Sequence, residues 1–66
     1  RNRLRLTPRE KECLSLSVGG MSAKEIGYQL GITERSVFNI LNRARKSLEA
    51  GNTIEAVAKA LAYDLI

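Results

Sequence analysis

Histidine and tryptophan are absent from this chain, and cysteine, methionine, proline and phenylalanine occur once each. Without histidine and with a single thiol, it cannot build a zinc finger, a Ser-His-Asp triad or a Cys-His dyad. Cys13 has no partner for an internal disulfide, which fits a reducing cytosol and a cytoplasmic protein. On an ordinary helix it reads as a small buried hydrophobe. No apolar run exceeds a few residues, so nothing spans a membrane. No basic-then-apolar leader precedes the domain, and a first residue that is Arg rather than Met reads as a fragment of something longer. No pair of carboxylates is placed to work together, no metal-ligand cluster is present, and no Gly-rich loop follows a strand to cradle phosphate. No enzyme, metal site or cofactor is therefore expected.

What is present suits one small domain. A chain of 66 residues buries only about 60% of its unfolded surface, so its core is thin. The hydrophobic fraction of 44% and the charged fraction of 27% are those of a folded globular domain, not a disordered tail. The net charge is +4, unevenly spread. Arg1, Arg3, Arg5 and Arg9 make the N-terminus basic, and Arg35, Arg43, Arg45 and Lys46 outweigh Glu34 and Glu49 in an internal segment. The two remaining segments are close to neutral. Clustered positive charge of this kind is the footprint of a polyanion binder, with a solvated surface as the plainer alternative.

The apolar spacing is helical throughout, and the punctuation divides it into four helices, about 8–18, 23–30, 34–49 and 53–63. Thr7-Pro8-Arg9-Glu10 joins an N-cap, a proline at the first helical position and a Glu placed for a capping box. Gly19-Gly20 ends that helix, with Leu14 and Val18 expected to face the core. Ser22-Ala23-Lys24-Glu25 is a second capping box, with Met21 and Ile26 at staple spacing. This helix carries Ile26 and Leu30 and stops at Gly31, and Thr33 caps the next, again with a staple pair in Ile32 and Val37. The third helix places Val37, Leu41, Ala44 and Leu48 on one stripe, with Ile40 at its edge. Gly51 is expected to end it. Asn52 or Thr53 then caps a fourth helix, whose wide apolar surface suggests a partner or simply a liking for alanine.

A short helix, a Gly-containing turn and a longer helix form the helix-turn-helix pattern. Gly27 sits where the two helices cross too closely for a large side chain, Gly31 permits the turn, and Val37 packs back onto Ile26 and Leu30. Opposite the buried stripe of the third helix lie Arg35, Asn39, Asn42 and Lys46, flanked by Phe38 and Arg43. Asn39 and Asn42 each offer a donor and an acceptor, the pairing adenine presents in the major groove, and Phe38 can meet a thymine methyl or pack on a neighbour. Arg35, Arg43, Arg45 and Lys46 suit phosphates, as do Ser22 and Lys24 at a helix N-terminus. Tyr28 offers a hydroxyl contact or half-buried packing, and Thr33 is first a cap and second a phosphate contact. The arm of residues 1–5 is a linker or a minor-groove contact.

Leu6-Thr7-Pro8-Arg9-Glu10, SAKEIGYQL over residues 22–30, Gly31-Ile32-Thr33-Glu34-Arg35-Ser36-Val37 and Glu55-Ala56-Val57-Ala58-Lys59-Ala60 resemble the LuxR/GerE-type DNA-binding domain. The resemblance spans residues 6–66. It implies an all-α, four-helix helix-turn-helix domain with its recognition helix, 34–48, in the major groove of double-stranded DNA. It implies base reading by Phe38, Asn39 and Asn42, and a homodimer on DNA through Ile54, Val57, Ala58, Leu61 and Leu65 of the fourth helix. One short helix buries little, so the isolated domain is expected to be monomeric. Glu10, Leu14 and Gly20 match positions that rarely vary in the family. Gly27 replaces the usual Ala, an exchange expected to be harmless. Phe38 replaces a residue that is often basic, and Ile40 stands where His or another core residue is common. The resemblance further implies a transcriptional regulator with an upstream sensor or receiver domain. Arg9-Glu10-Lys11-Glu12-Cys13-Leu14 is similar to the quorum-sensing receptors.

Two other readings compete. A sigma-factor promoter-recognition domain shares this helix-turn-helix, and Asn42-Arg43-Ala44-Arg45-Lys46-Ser47-Leu48 looks like its end, yet a capped fourth helix follows here. A helical protein-interaction module explains the apolar fourth helix but not the charge on the third.

Overall fold

The computed structural model describes residues 5–66 and contains four α-helices: α1 (Pro8–Val18), α2 (Ala23–Leu30), α3 (Glu34–Ser47) and α4 (Thr53–Ala62). No strand occurs among the described residues. Each helix starts the same way. Thr7, Ser22, Thr33 and Asn52 sit in extended conformation, and each side chain accepts the backbone N–H three residues on, at Glu10, Glu25, Ser36 and Glu55. At α1 and α2 the Glu reaches back to the cap's own N–H, completing both capping boxes. At α4 Asn52 rather than Thr53 is the cap, and Glu55 accepts instead from Gly51 N at 2.7 Å.

The helices also stop alike. Each ends with one residue at positive φ, followed by a 6→1 backbone hydrogen bond: Met21 to Leu16, Ile32 to Gly27, Ala50 to Arg45 and Leu65 to Ala60. The donor in every case is an apolar residue that packs against or lies in the core. Gly20 (φ 94°) and Gly31 (φ 73°) take the left-handed position after α1 and α2, where no Cβ penalty arises. After α3 and α4 the same position holds Glu49 (φ 55°) and Asp64 (φ 57°). The terminator of α3 is therefore Glu49 and not Gly51, and the helix closes two residues short of the expected range 34–49.

The core runs along α3, which packs on all three other helices. Val37, Ile40, Leu41, Ala44 and Leu48 meet Cys13 and Leu14 of α1, Ile26 of α2, and Ala56 and Ala60 of α4. Val18 does not join them and is 48% exposed. The chain turns at Gly19-Gly20, and Leu16 and Met21 fill that end of the core instead. Alanines on the inner side of α4 are fully buried, and their small side chains suit a short helix laid close to α3.

Gly27 lies where α2 comes close to the start of α3, as its spacing from Gly31 leads one to expect. A Cβ built there lies 2.8 Å from the carbonyl oxygen of Ile32, and 3.2 and 3.3 Å from backbone atoms of Thr33 and Glu34. Glycine in place of the usual Ala is therefore tolerated here, whereas an added Cβ would crowd backbone atoms that cannot swing aside.

Candidate nucleic-acid interface

The turn Gly31-Ile32-Thr33 sets α2 against α3 and leaves one face of α3 bare. Arg35, Phe38, Asn39, Asn42, Arg43 and Lys46 are all exposed on it. Phe38 is 56% exposed, so it is a surface aromatic and not a prop for a neighbouring helix. Among the described residues the ion pairs are Arg9–Glu12 at 3.3 Å and Lys59–Glu55 at 3.7 Å, neither of them on α3. Arg35, Arg43 and Lys46 thus point to solvent without a carboxylate partner there. The face combines fixed positive charge with amide and aromatic groups on one rigid helix, the arrangement a DNA reader needs.

Arg45 stands apart from the other cations. Its guanidinium turns inward, donating from Nε and Nη2 to Asn42 Oδ1, both at 3.2 Å, and from Nη1 to the Ala50 carbonyl at 3.0 Å. Arg45 is half-buried, tying α3 to the loop before α4. Its spacing of three from Asn42 was visible in the sequence; its reach to Ala50 was not.

At the start of α2, Ser22 and Lys24 are exposed, but the Ser22 hydroxyl accepts from Glu25 N and the Glu25 carboxylate occupies the Ser22 N–H at 2.8 Å. An anion approaching this terminus meets that carboxylate, with Lys24 beside it. Thr33 is likewise engaged: its hydroxyl accepts from Ser36 N and donates to Ser36 Oγ, each at 3.0 Å. Tyr28 is 92% exposed, which removes the half-buried alternative and leaves its hydroxyl free. Arg5 is exposed, while Arg1, Arg3 and the rest of residues 1–4 lie outside the described residues.

The residues expected to form a second interface on α4 divide. Ile54 (83% exposed), Ala58 and Leu61 (49% exposed) share one outward stripe at spacings of four and three. Val57 and Leu65 are half-buried and pack against the domain's own core, Leu65 through the turn that closes α4. Lys59, assigned no role from the sequence, caps α3 from across the domain: its Nζ donates to the carbonyls of Leu48 at 3.1 Å and Glu49 at 3.0 Å. Only its Glu55 pairing was legible, as an i, i+4 spacing.

Cys13 is fully buried. Burial pushes its thiol above the ordinary value of 9.0, with Arg9 opposing and Glu12 adding to the effect. No group of three or more His, Cys, Asp or Glu suited to a metal occurs among the described residues, and no helix is long and apolar enough to cross a membrane.

Fold and face together define a helix-turn-helix domain. The chain belongs to the luxR family of bacterial regulatory proteins, whose GerE model matches residues 4–60. Its relatives include the HTH-type quorum sensing-dependent transcriptional regulator RpaR of Rhodopseudomonas palustris, 52% identical over 65 residues, 97% of this chain and 26% of that protein. The transcriptional activator protein SolR of Ralstonia solanacearum is 44% identical over 61 residues, 92% of this chain and 26% of that one. The transcriptional activator protein LuxR of Aliivibrio fischeri is 39% identical over 56 residues, 85% of this chain and 22% of that one. The chain therefore spans about a quarter of the length of its curated relatives. The family is one of DNA-binding domains of transcriptional regulators and not an enzyme class. The match extends through most of α4, which sets the sigma-factor reading aside.

Proposed function

We propose that this domain reads double-stranded DNA for a bacterial transcriptional regulator, with α3 in the major groove. The carrying observation is the exposed face of α3, where Asn39, Asn42 and Phe38 stand among Arg35, Arg43 and Lys46. Amides and an aromatic edge read bases; the cations hold phosphates and set the register. Lys24 adds a phosphate contact at the start of α2. Ser22 and Thr33, whose hydroxyls serve as caps, contribute at most a second hydrogen bond. Arg45 is removed from the phosphate set.

Ile54, Ala58 and Leu61 form the face through which two domains pair on DNA, presenting two α3 helices to half-sites about one helical turn apart. A single helix stripe buries far less than the roughly 1,600 Å² of a standard interface, so the pair forms on the operator and the free domain is a monomer. The whole protein carries an upstream sensor, and the quorum-sensing relative favours a small-molecule sensor over a receiver domain. Such a regulator works in the cytoplasm, where the DNA is.

The test is selection of the domain against a randomised duplex pool at two salt concentrations. A two-fold symmetric motif, retained less as salt rises, is expected. Asn39→Ala relaxes base preference at one position, costing about 1–3 kcal/mol on the selected site. Lys46→Ala weakens all sequences alike and flattens the salt slope by about one unit. No enrichment together with no salt-sensitive retention overturns the proposal and turns attention to protein partners.

A further inference from the structure

An asparagine that reads adenine uses both ends of its amide: the oxygen accepts from adenine N6 and the nitrogen donates to N7. Asn42 is not free to do so. Its Oδ1 faces the Nε and Nη2 of Arg45, both at 3.2 Å. A guanidinium offers donors and no acceptor, so the oxygen is the only end of the amide that can face it. The orientation is set by chemistry, and it leaves the NH₂ group as the end turned away from Arg45. Arg45 is itself anchored, through Nη1, to the carbonyl of buried Ala50 at 3.0 Å, so the fork is held from both sides.

We infer that Arg45 is a positioning residue that makes Asn42 a donor-only reader of base edges. The inference rests on the DNA-binding reading above. A donor-only amide matches an edge that presents acceptors: guanine, with N7 and O6, or thymine, with O4. At adenine it keeps only the bond to N7 and leaves the N6 hydrogen without an acceptor, and at cytosine the N4 hydrogens meet a donor. Asn39 carries no such partner and remains a two-ended reader. The two asparagines of α3, alike in sequence, thus read different bases. Arg45 also joins the base-reading face to the connection between α3 and α4, the helix that carries the pairing stripe.

The test uses the same selection with four variants of this chain. Asn42→Ala identifies the motif position Asn42 faces, as the one whose preference it abolishes. At that position the unaltered chain prefers guanine or thymine by about tenfold over cytosine and shows no preference for adenine. Arg45→Met frees the oxygen and moves the preference towards adenine, with the salt slope unchanged. Arg45→Lys keeps the charge but not the fork, and it shifts base order as Arg45→Met does. Asn42→Asp keeps an acceptor for Arg45, so it folds, and it turns the preference to the donor-bearing edges of cytosine and adenine. Thermal unfolding confirms that the Arg45 variants are folded before base order is scored.

An adenine or cytosine preference in the unaltered chain overturns the inference. So does a fall of about one unit in the salt slope for Arg45→Met that Arg45→Lys does not show, which places Arg45 on a phosphate. A uniform loss across all sequences, with base order intact, reduces Arg45 to a structural strut and overturns it equally. Absence of salt-sensitive retention by any duplex removes the DNA-binding reading itself, a separate result from retention with the wrong base order.

Discussion

The ammonium of Lys59 on α4 donates to the carbonyl oxygen of Glu49, 3.0 Å away, at the residue that turns the chain out of α3. A second bond to Leu48, at 3.1 Å, completes a cap on carbonyls that no helical N–H can reach. The positive charge also lies at the negative end of the α3 dipole. Glu55, one turn earlier on α4, steadies the ammonium at 3.7 Å and accepts the Gly51 N–H. Replacing Lys59 by Met keeps most of the apolar stem and removes the donors. Stability is expected to fall by about 1 kcal/mol in urea unfolding, and Lys59→Arg should recover part of it. An unchanged midpoint for Lys59→Met means water replaces the ammonium at no cost.

Gly27 permits the close approach of α2 to the turn that starts α3. Its missing Cβ lies 2.8 Å from the Ile32 oxygen, so Gly27→Val forces the two helices apart. A loss of about 1–3 kcal/mol is expected. Gly27→Ala loses less, since better helix propensity offsets part of the clash. Equal stability of Gly27→Val and the unaltered chain excludes this contact as the reason for glycine.

Glu49 holds a left-handed conformation at φ 55° that an L side chain adopts at a cost, and its carboxylate makes no hydrogen bond or ion pair among the described residues. Glu49→Gly relieves that cost and retains the backbone carbonyl for Lys59. A gain of about 1 kcal/mol is expected in thermal or urea unfolding. A loss instead shows that Glu49 contributes more through its side chain than its backbone gives up.

Cys13 links stability to pH. Its thiol is raised above 9.0 in the folded domain by burial, so the folded state keeps the proton where the unfolded chain releases it. The contribution is complete below the unfolded value and declines as pH climbs from there through the folded one. Unfolding of the unaltered chain and of Cys13→Ala, followed from neutral pH to about pH 10, should show their stability difference shrinking at the alkaline end. A difference independent of pH removes the thiol as the source. Alkylating reagents should likewise reach Cys13 only as the domain unfolds.

Ile54, 83% exposed, contributes nothing to the domain's own core. Ile54→Asp should therefore leave the melting temperature of the free domain nearly unchanged. On a symmetric duplex it should abolish the second binding event and leave half-site binding intact. Undiminished two-fold binding assigns pairing to some other surface.

The start of every helix was legible in the sequence. Thr7, Ser22, Thr33 and the Asn52-Thr53 pair announce themselves because a cap bonds to an N–H three residues on, and that chemistry is local. The polar face of α3 was legible for the same kind of reason, since helical periodicity alone separates Arg35, Asn39, Asn42 and Lys46 from Val37, Leu41 and Ala44. The ends of α3 and α4 were not. Glu49 and Asp64 carry no glycine signal, and they take the left-handed turn because the apolar residues after them, Ala50 and Leu65, pack against or lie in the core. The exposure of Val18, the division of the α4 residues into an outward stripe and an inward set, and the inward turn of Arg45 were decided by tertiary structure. Each depends on which surface another helix covers, and that distance is not written in any local spacing. The sequence determined which helices form and which face of α3 is polar; packing decided which of its cations point to solvent and which turns inward.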